Sequence, residues 1–381
     1  MVGERLTVNV HRDHDYRGVR PIRTRPIDFH RTMPRYAVTP VVYLDDLAAR
    51  CECALIAVKN EQERLGLPSF KALGSSWALH ERVRTTAGAA QTLIPFPELA
   101  ALVRRLDAPT LCTASDGNHG RAVAALAEAL GCGCVVFLPA DSAAARADAI
   151  AGHGATVELI DGSYDEAVDA ARAAARARGH WYCPDTVGPD ASEDDRAFAS
   201  DVMTGYETLF EEFFSKLGRP PDFLFVQAGV GGLSAAGVSA VRRLSTATRV
   251  VIVEPQGSAA IARSLAAGSP TSVPDVPTVM ACLRCQSVSA VAWPTLVAGV
   301  DAVFLVTDDE AATAMRALAR AGVVAGASGA AGLAGVLAVC ADQALRSRTR
   351  MTSDSTIALV NTEGATDPES YAAVVADSRE R

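Results

Sequence analysis

Short apolar runs alternate with longer stretches rich in alanine and arginine along most of the chain, and this alternation restricts the fold more than any single motif. Residues 53–59, 110–113, 135–139, 155–160, 223–227, 249–254 and 356–360 have the length and apolar content of strands. Residues 121–130, 143–151, 166–178 and 311–321 have the composition of helices, in which alanine and arginine are among the least costly residues. Strands and helices in turn predict an α/β fold, a largely parallel sheet with helices on both faces. A chain of 381 residues is long for a single core. It is therefore expected to divide into a larger discontinuous domain, residues 1–73 and 199–381, and a smaller α/β domain, residues 74–198. The polar, turn-rich run at 188–195 lies near the second break.

Bulk properties exclude several classes. Lysine and arginine number 36 against 44 acidic residues, a formal charge of -8, which suits an enzyme of small solutes and argues against a nucleic-acid surface. No run is long and apolar enough to span a bilayer. The opening Met1-Val2-Gly3-Glu4-Arg5 leads into an Arg- and His-rich segment rather than an apolar signal core, so a cytoplasmic location is expected. Nine cysteines, an odd number, are expected to be reduced and mostly buried in a chain this large. Cys282-x-x-Cys285 has no second pair at zinc spacing and no histidine nearby, so packing is expected there and no metal. Cys51-x-Cys53 and Cys132-x-Cys134 have the spacing of strand residues that share one face.

Open parallel sheets collect ligands at the carboxyl ends of their strands, so chemistry is sought in the loops that follow them. Ala114-Ser115-Asp116-Gly117-Asn118-His119-Gly120 runs from a strand into a helix with more polar groups than a plain cap needs. Asn118 suits a hydrogen bond to a cofactor oxygen, and Asp116 suits proton transfer. In Ala228-Gly229-Val230-Gly231-Gly232-Leu233-Ser234, glycines let successive amides surround an anion at a positive helix start. Gly229, Val230, Gly231 and Gly232 thus read as a phosphate cradle. A dinucleotide fold competes here, because a strand ending in Glu254 follows, although Ser234 replaces the third fingerprint glycine.

Ser69-Phe70-Lys71-Ala72-Leu73-Gly74-Ser75 changes that balance. A lysine near a helix start is ordinarily an exposed charge. A lysine, an Asp/Asn loop, a glycine cradle and the later Thr362-Glu363-Gly364 are together the parts needed to hold pyridoxal phosphate: an amine anchor, amides for phosphate and a polar group for the pyridine nitrogen. Ser328-Gly329 reads as an ordinary helix cap, and Tyr206 and Trp293 as packing residues.

On these motifs the chain resembles the fold-type II (tryptophan synthase beta-like) pyridoxal-phosphate enzymes and, within them, the diaminopropionate ammonia-lyases. The resemblance is carried by Tyr36-Ala37-Val38-Thr39-Pro40, Phe70-Lys71-Ala72-Leu73-Gly74, residues 115–120 and 227–232, Val253-Glu254-Pro255 and Thr362-Glu363-Gly364. Asp185-Thr186, Met203-x-Gly205-Tyr206-x-Thr208-Leu209, Thr278-Val279-Met280-Ala281 and Trp293 point to the ammonia-lyase subgroup. The resemblance runs from about His30 to Asp367. It implies two open, mostly parallel α/β domains with the cofactor in the cleft between them, and a homodimer. It also implies α,β-elimination of D- or L-2,3-diaminopropionate to aminoacrylate, which hydrolyses to pyruvate with release of two ammonia molecules. Lys71 would hold pyridoxal 5'-phosphate as a Schiff base and later protonate the leaving β-amino group. Phe70, Asn118, residues 229–232 and Thr362 would bind the cofactor, Thr362 at the ring nitrogen. Asp116 would take the Cα proton of the D isomer and Asp185 that of the L isomer.

One segment departs from the subgroup pattern. Cys285-Gln286-Ser287-Val288-Ser289 stands where the ammonia-lyases have Cys-Gly-Glu-Pro-Asn, so a glycine, an acid and a proline are missing together. If that loop borders the substrate, its preference for a second cationic amine is altered. The alternatives are elimination or β-replacement on another β-substituted amino acid, such as serine, cysteine or an O-activated serine, and a protein that binds pyridoxal phosphate without turnover.

Overall fold

The computed structural model describes residues 5–18, 25–89, 93–106, 109–115 and 117–376. These contain eleven strands: β1 (Leu6–Val8), β2 (Val41–Tyr43), β3 (Leu55–Asn60), β4 (Leu111–Ala114), β5 (Cys134–Pro139), β6 (Thr156–Ile160), β7 (Trp181–Tyr182), β8 (Phe223–Gln227), β9 (Arg249–Pro255), β10 (Ala302–Val306) and β11 (Thr356–Asn361). By internal packing the chain divides into a larger unit, Met1–Arg20, Val38–Glu63 and Leu209–Arg381, and a smaller one, Pro21–Ala37 and Arg64–Thr208.

The larger unit is built on a seven-stranded sheet in the order β1-β10-β9-β8-β11-β3-β2. Its five inner strands are parallel, and β1 and β2 pair antiparallel at the two edges. β8 and β11 are buried along their whole length, which is why they read as continuous apolar runs rather than alternating ones. The apolar helix Ala327–Ala341 contributes Leu333, Val336 and Val339 to the same core as Phe225, Val253, Phe304 and Leu359. No single helix among the described residues is long and apolar enough to cross a membrane.

The smaller unit carries a four-stranded parallel sheet in the order β6-β5-β4-β7. Its alanine-rich helix Tyr164–Arg178 starts in a capping box formed by Ser163 and Glu166. Ala167, Ala171 and Ala175, four apart, form one stripe that packs on Cys112, Ala114, Val135 and Phe137.

The breaks between units lie on either side of those expected, so the smaller unit also takes in residues 21–37, 64–73 and 199–208. Backbone contact explains the additions. A Cβ on Gly205, at the end of helix Glu193–Gly205, would lie 2.5 Å from the carbonyl oxygen of Leu73 and 2.9 Å from Gly74 Cα. A Cβ on Gly74 would lie 2.8 Å from Val202 Cγ1, so only glycine permits this approach to helix Lys71–Thr86. The buried His30 clamps the same place: Nε2–H donates to Leu73 O at 3.0 Å, which leaves Nδ1 to accept from the Thr208 hydroxyl at 2.8 Å.

The cysteine pairs correct one expectation. Cys51 caps the helix Asp45–Arg50 and Cys53 precedes β3, while Cys132 follows the left-handed turn at Gly131 and Cys134 opens β5. Each pair brackets a helix-to-strand turn, so neither shows strand alternation. Cys51, Cys53, Cys112, Cys134, Cys183 and Cys285 are buried.

The contact at Gly205 predicts that G205A lowers stability by about 1–3 kcal/mol in urea unfolding, because a backbone oxygen cannot rotate aside. G188A, where a Cβ meets nothing within 4 Å, should stay within about 0.5 kcal/mol of the parent.

Candidate active site

Lys71 is the first residue of its helix, and Asp185 follows β7 at the carboxyl end of the smaller sheet. Lys71 Nζ donates to Asp185 Oδ2 at 2.6 Å, with the two side chains only 17% and 7% exposed. This lysine is therefore paired and largely out of water rather than a solvated surface charge. Tyr164 Oη donates to Asp185 Oδ1 at 3.3 Å. His119 Nε2–H donates to Cys183 O at 2.9 Å and turns Nδ1 toward Asp185 Oδ2, at 4.0 Å. Burial alone would raise the Asp185 carboxyl. Lys71 foremost, then His119 and the hydrogen bonds from Lys71 and Tyr164, overcome it and bring the carboxyl down from 3.8 to about 2.

The loop after the neighbouring β4 is folded around Ser115, whose Oγ accepts from Gly117 N and Gly120 N, both at 2.8 Å. Gly117, at φ +138°, adopts a conformation that favours glycine. Asn118 opens the helix Asn118–Leu130 and is buried. Phe70 is buried with its ring edge-on to Tyr206, and its centroid lies 5.6 Å from Lys71 Nζ. Asp116 lies outside the described residues.

In the larger unit, residues 228–231 connect β8 to the helix Gly232–Leu244. Gly231 stands at its N-cap with φ +95° and no side-chain cap, so the first amides are presented to whatever lies at the helix end. A Cβ on Gly229 would lie 2.8 Å from Cys285 Sγ and 2.9 Å from Cys282 O. Ser234, in place of a third glycine, donates its hydroxyl to Gln227 O at 3.0 Å and ties the helix to the end of β8. Gln227 Nε2 lies 3.0 Å from Val360 O, 3.0 Å from Ser328 O and 3.1 Å from Thr362 Oγ1, which binds the ends of β8 and β11 together. Thr362 is thereby held at the carboxyl end of β11, accepting from Gln227 and keeping its own O–H to donate.

Glu254 is consumed by a structural task. Its carboxylate, buried at the end of β9, accepts from Ile261 N at 2.8 Å and Ala262 N at 2.9 Å and so caps helix Ala260–Ala267; burial pushes the carboxyl up to about 8. The acid that a dinucleotide fold would spend on a ribose is committed elsewhere. Ser328 also departs from its expected capping role: Gly326 is the N-cap of Ala327–Ala341, and Ser328 Oγ instead accepts from Cys282 N at 3.2 Å. Cys282 Sγ in turn donates to Glu363 Oε2 at 3.5 Å. The departing segment reaches the same loop, since Ser289 N donates to Val230 O at 2.9 Å. Among the described residues no three His, Cys, Asp or Glu side chains gather as a metal would require.

The fold brings Lys71 to Asp185 and, through Gln227, ties Thr362 to the strand that leads into residues 228–231; His119, Tyr164 and Gln227 had no role in the sequence expectation. His119 stands inside the loop already singled out. Nothing local marks Tyr164, which reaches Asp185 only through the fold.

Residues 32–363 match the sequence model of the family described as Pyridoxal-phosphate dependent enzyme. The chain is 31% identical over 371 residues to the diaminopropionate ammonia-lyase of Salmonella typhimurium, covering 92% of this chain and 91% of the relative. The Escherichia coli diaminopropionate ammonia-lyase solved with D-serine superposes with a TM-score of 0.88 at 28% identity, covering 98% of this chain and 97% of that one. The same enzyme with an aminoacrylate-PLP azomethine reaction intermediate gives 0.86 at 28% identity over the same shares.

The lowered Asp185 carboxyl carries a pH signature. Its value is near 3.8 unfolded and about 2 folded, so the contribution of the ion pair is complete above the unfolded value and disappears as pH falls toward the folded one. In cofactor-free protein, D185N is expected to lower the urea midpoint clearly at about pH 6 and about half as much at about pH 3. An equal deficit at both would contradict the pairing.

Proposed function

Because the chain belongs to the pyridoxal-phosphate dependent enzymes and has their fold-type II architecture, we propose that it catalyses the α,β-elimination of 2,3-diaminopropionate, D or L, to pyruvate and two ammonia molecules. The observation that carries this reading is the buried pair of Lys71 and Asp185, an amine nucleophile and a carboxylate base in direct contact. The cofactor is pyridoxal 5'-phosphate, and the residues present fit it. The uncapped helix start behind Gly231 suits a phosphate, and Glu254 leaves no acid for a ribose. Thr362 retains a hydroxyl proton for a ring nitrogen.

When bound, pyridoxal phosphate supplies an aldehyde for an amine and a conjugated ring that stabilises negative charge at Cα. In the proposed site Lys71 would hold the cofactor through its amine, and its ammonium form would supply a proton to the departing β-amino group, which cannot leave as an amide anion. The amides of residues 229–232 would neutralise the phosphate, and Phe70 and Asn118 would border the cofactor. Thr362 would offer its hydroxyl proton to the ring nitrogen, and a hydroxyl partner does not force full protonation of the ring, which suits an elimination. Asp116 takes the Cα proton of the D isomer and Asp185 that of the L isomer from opposite faces. The same reading takes the working enzyme as a cytoplasmic homodimer.

A second reading is favoured by the departing segment. Ser289 N bonds Val230 O, and Cys285 packs where a Gly229 side chain would be, so the residues that lack the subgroup's glycine, acid and proline adjoin the cradle. A site altered there would act on another β-substituted amino acid, such as serine, cysteine or an O-activated serine.

Purified protein with pyridoxal phosphate is expected to release pyruvate and ammonia from a diaminopropionate isomer, followed by keto-acid assay across a panel of D- and L-β-substituted amino acids. No pyruvate from either isomer, beside rapid turnover of another amino acid, would reject the substrate in favour of the second reading. K71A should lose the absorption of covalently held cofactor. D116N should lose about 100-fold more on the D isomer and D185N a similar factor more on the L isomer; equal losses would sink the division of labour.

A further inference from the structure

Resting on the assignment of Asp185 as a base, we infer that Tyr164 and His119 are its positioning residues, which keep the carboxylate charged and aimed once Lys71 has turned to the cofactor. The geometry carries this. Asp185 is 7% exposed at its side chain, so water does little to solvate it. Its Oδ2 is held by Lys71 at 2.6 Å, and capture of the cofactor takes that ammonium away. The charged and titratable groups that face it are Lys71, His119 from the helix Asn118–Leu130, Tyr164 from the helix Tyr164–Arg178, and Tyr182 from β7, the strand that precedes it.

A buried carboxylate that loses its counter-ion takes up a proton unless hydrogen bonds replace the charge. Tyr164 is in place at Oδ1, at 3.3 Å, a long hydrogen bond with room to shorten when the carboxylate is released from Lys71. His119 is in place at Oδ2. Its Nε2–H is committed to Cys183 O, which fixes the ring and leaves Nδ1 as the atom that meets Asp185, where a protonated imidazole would donate. Cys183 O also accepts from Thr113 Oγ1 at 2.8 Å, so the anchor of the imidazole is itself tied to β4. Tyr164 and His119 come from different helices and approach different oxygens, Tyr164 by a hydrogen bond at 3.3 Å and His119 with Nδ1 at 4.0 Å, so the two bear on both the position and the rotation of one carboxylate.

Y164F and H119Q test this in two ways. When cofactor-free protein captures pyridoxal phosphate in weak buffer, indicator dye should show more proton uptake in each variant than in the parent, approaching about one extra proton per cofactor bound. In turnover, the acidic limb of the kcat/KM profile for the L isomer should move up by about one pH unit in both variants, with at least about a tenfold greater loss on the L than on the D isomer. A shared decline on both isomers with unchanged proton uptake would assign the two residues to packing alone and overturn the inference. Should the parent turn over neither isomer, the substrate reading fails, and the proton-uptake comparison still decides whether Tyr164 and His119 hold Asp185.

Discussion

The approach of two helices, backbone against backbone, fixes the helix turn that carries Lys71. Gly205 lets its helix come within 2.5 Å, measured from a notional Cβ, of the Leu73 carbonyl oxygen, one turn from the start of the helix that Lys71 opens. His30 donates to that same oxygen. Leu73 O thus meets neighbours from two separate stretches of chain, and the first turn of the lysine helix has little freedom to shift. Lys71 projects from this anchored turn, which lets a long and flexible side chain keep a 2.6 Å contact with Asp185 at the end of β7.

The same economy of polar groups appears at the strand ends of both sheets. In the smaller unit, Ser115 Oγ gathers two amides and Cys183 O accepts from His119 and Thr113. In the larger unit, a single amide, that of Gln227, ties the ends of β8 and β11, and Ser234 ties the following helix to the same strand. Parallel strands end on one side of a sheet, so these bonds brace the loops there against one another. Ser234 is informative in this respect: where a dinucleotide fold uses a third glycine for close packing of helix on strand, a hydroxyl makes the link here.

The alternating runs made the two parallel sheets legible, because fully buried strands such as β8 and β11 leave unbroken apolar sequence. The edge strands β1 and β2 were not legible at three residues each, and β10, also buried for most of its length, lies outside the expected set. Turns misled where they mimic a strand: Cys51-x-Cys53 has the spacing of one strand face, yet Cys51 caps a helix and Cys53 lies in the turn that leads to β3. Of the candidate site, the residues legible in sequence are those that a local pattern marks, Lys71 at a helix start and Gly231 at a positive φ. Tyr164 and Gln227 owe their positions to contacts far along the chain, which no local pattern records.

The proton affinity of Asp185 is set by opposed effects. Burial favours the neutral acid, and Lys71, aided by His119 and Tyr164, favours the carboxylate strongly enough to leave it at about 2. A carboxylate at that value is too weak a base to remove a Cα proton at neutral pH. In the proposed reaction the lysine's charge must therefore leave Asp185 before the aspartate can act. The burial that the ion pair overcomes then becomes the source of base strength, and the two remaining partners keep the carboxylate from protonating outright. One residue can so serve as counter-ion to the free lysine and as base toward the substrate, because engagement of Lys71 decides which of the opposed effects prevails.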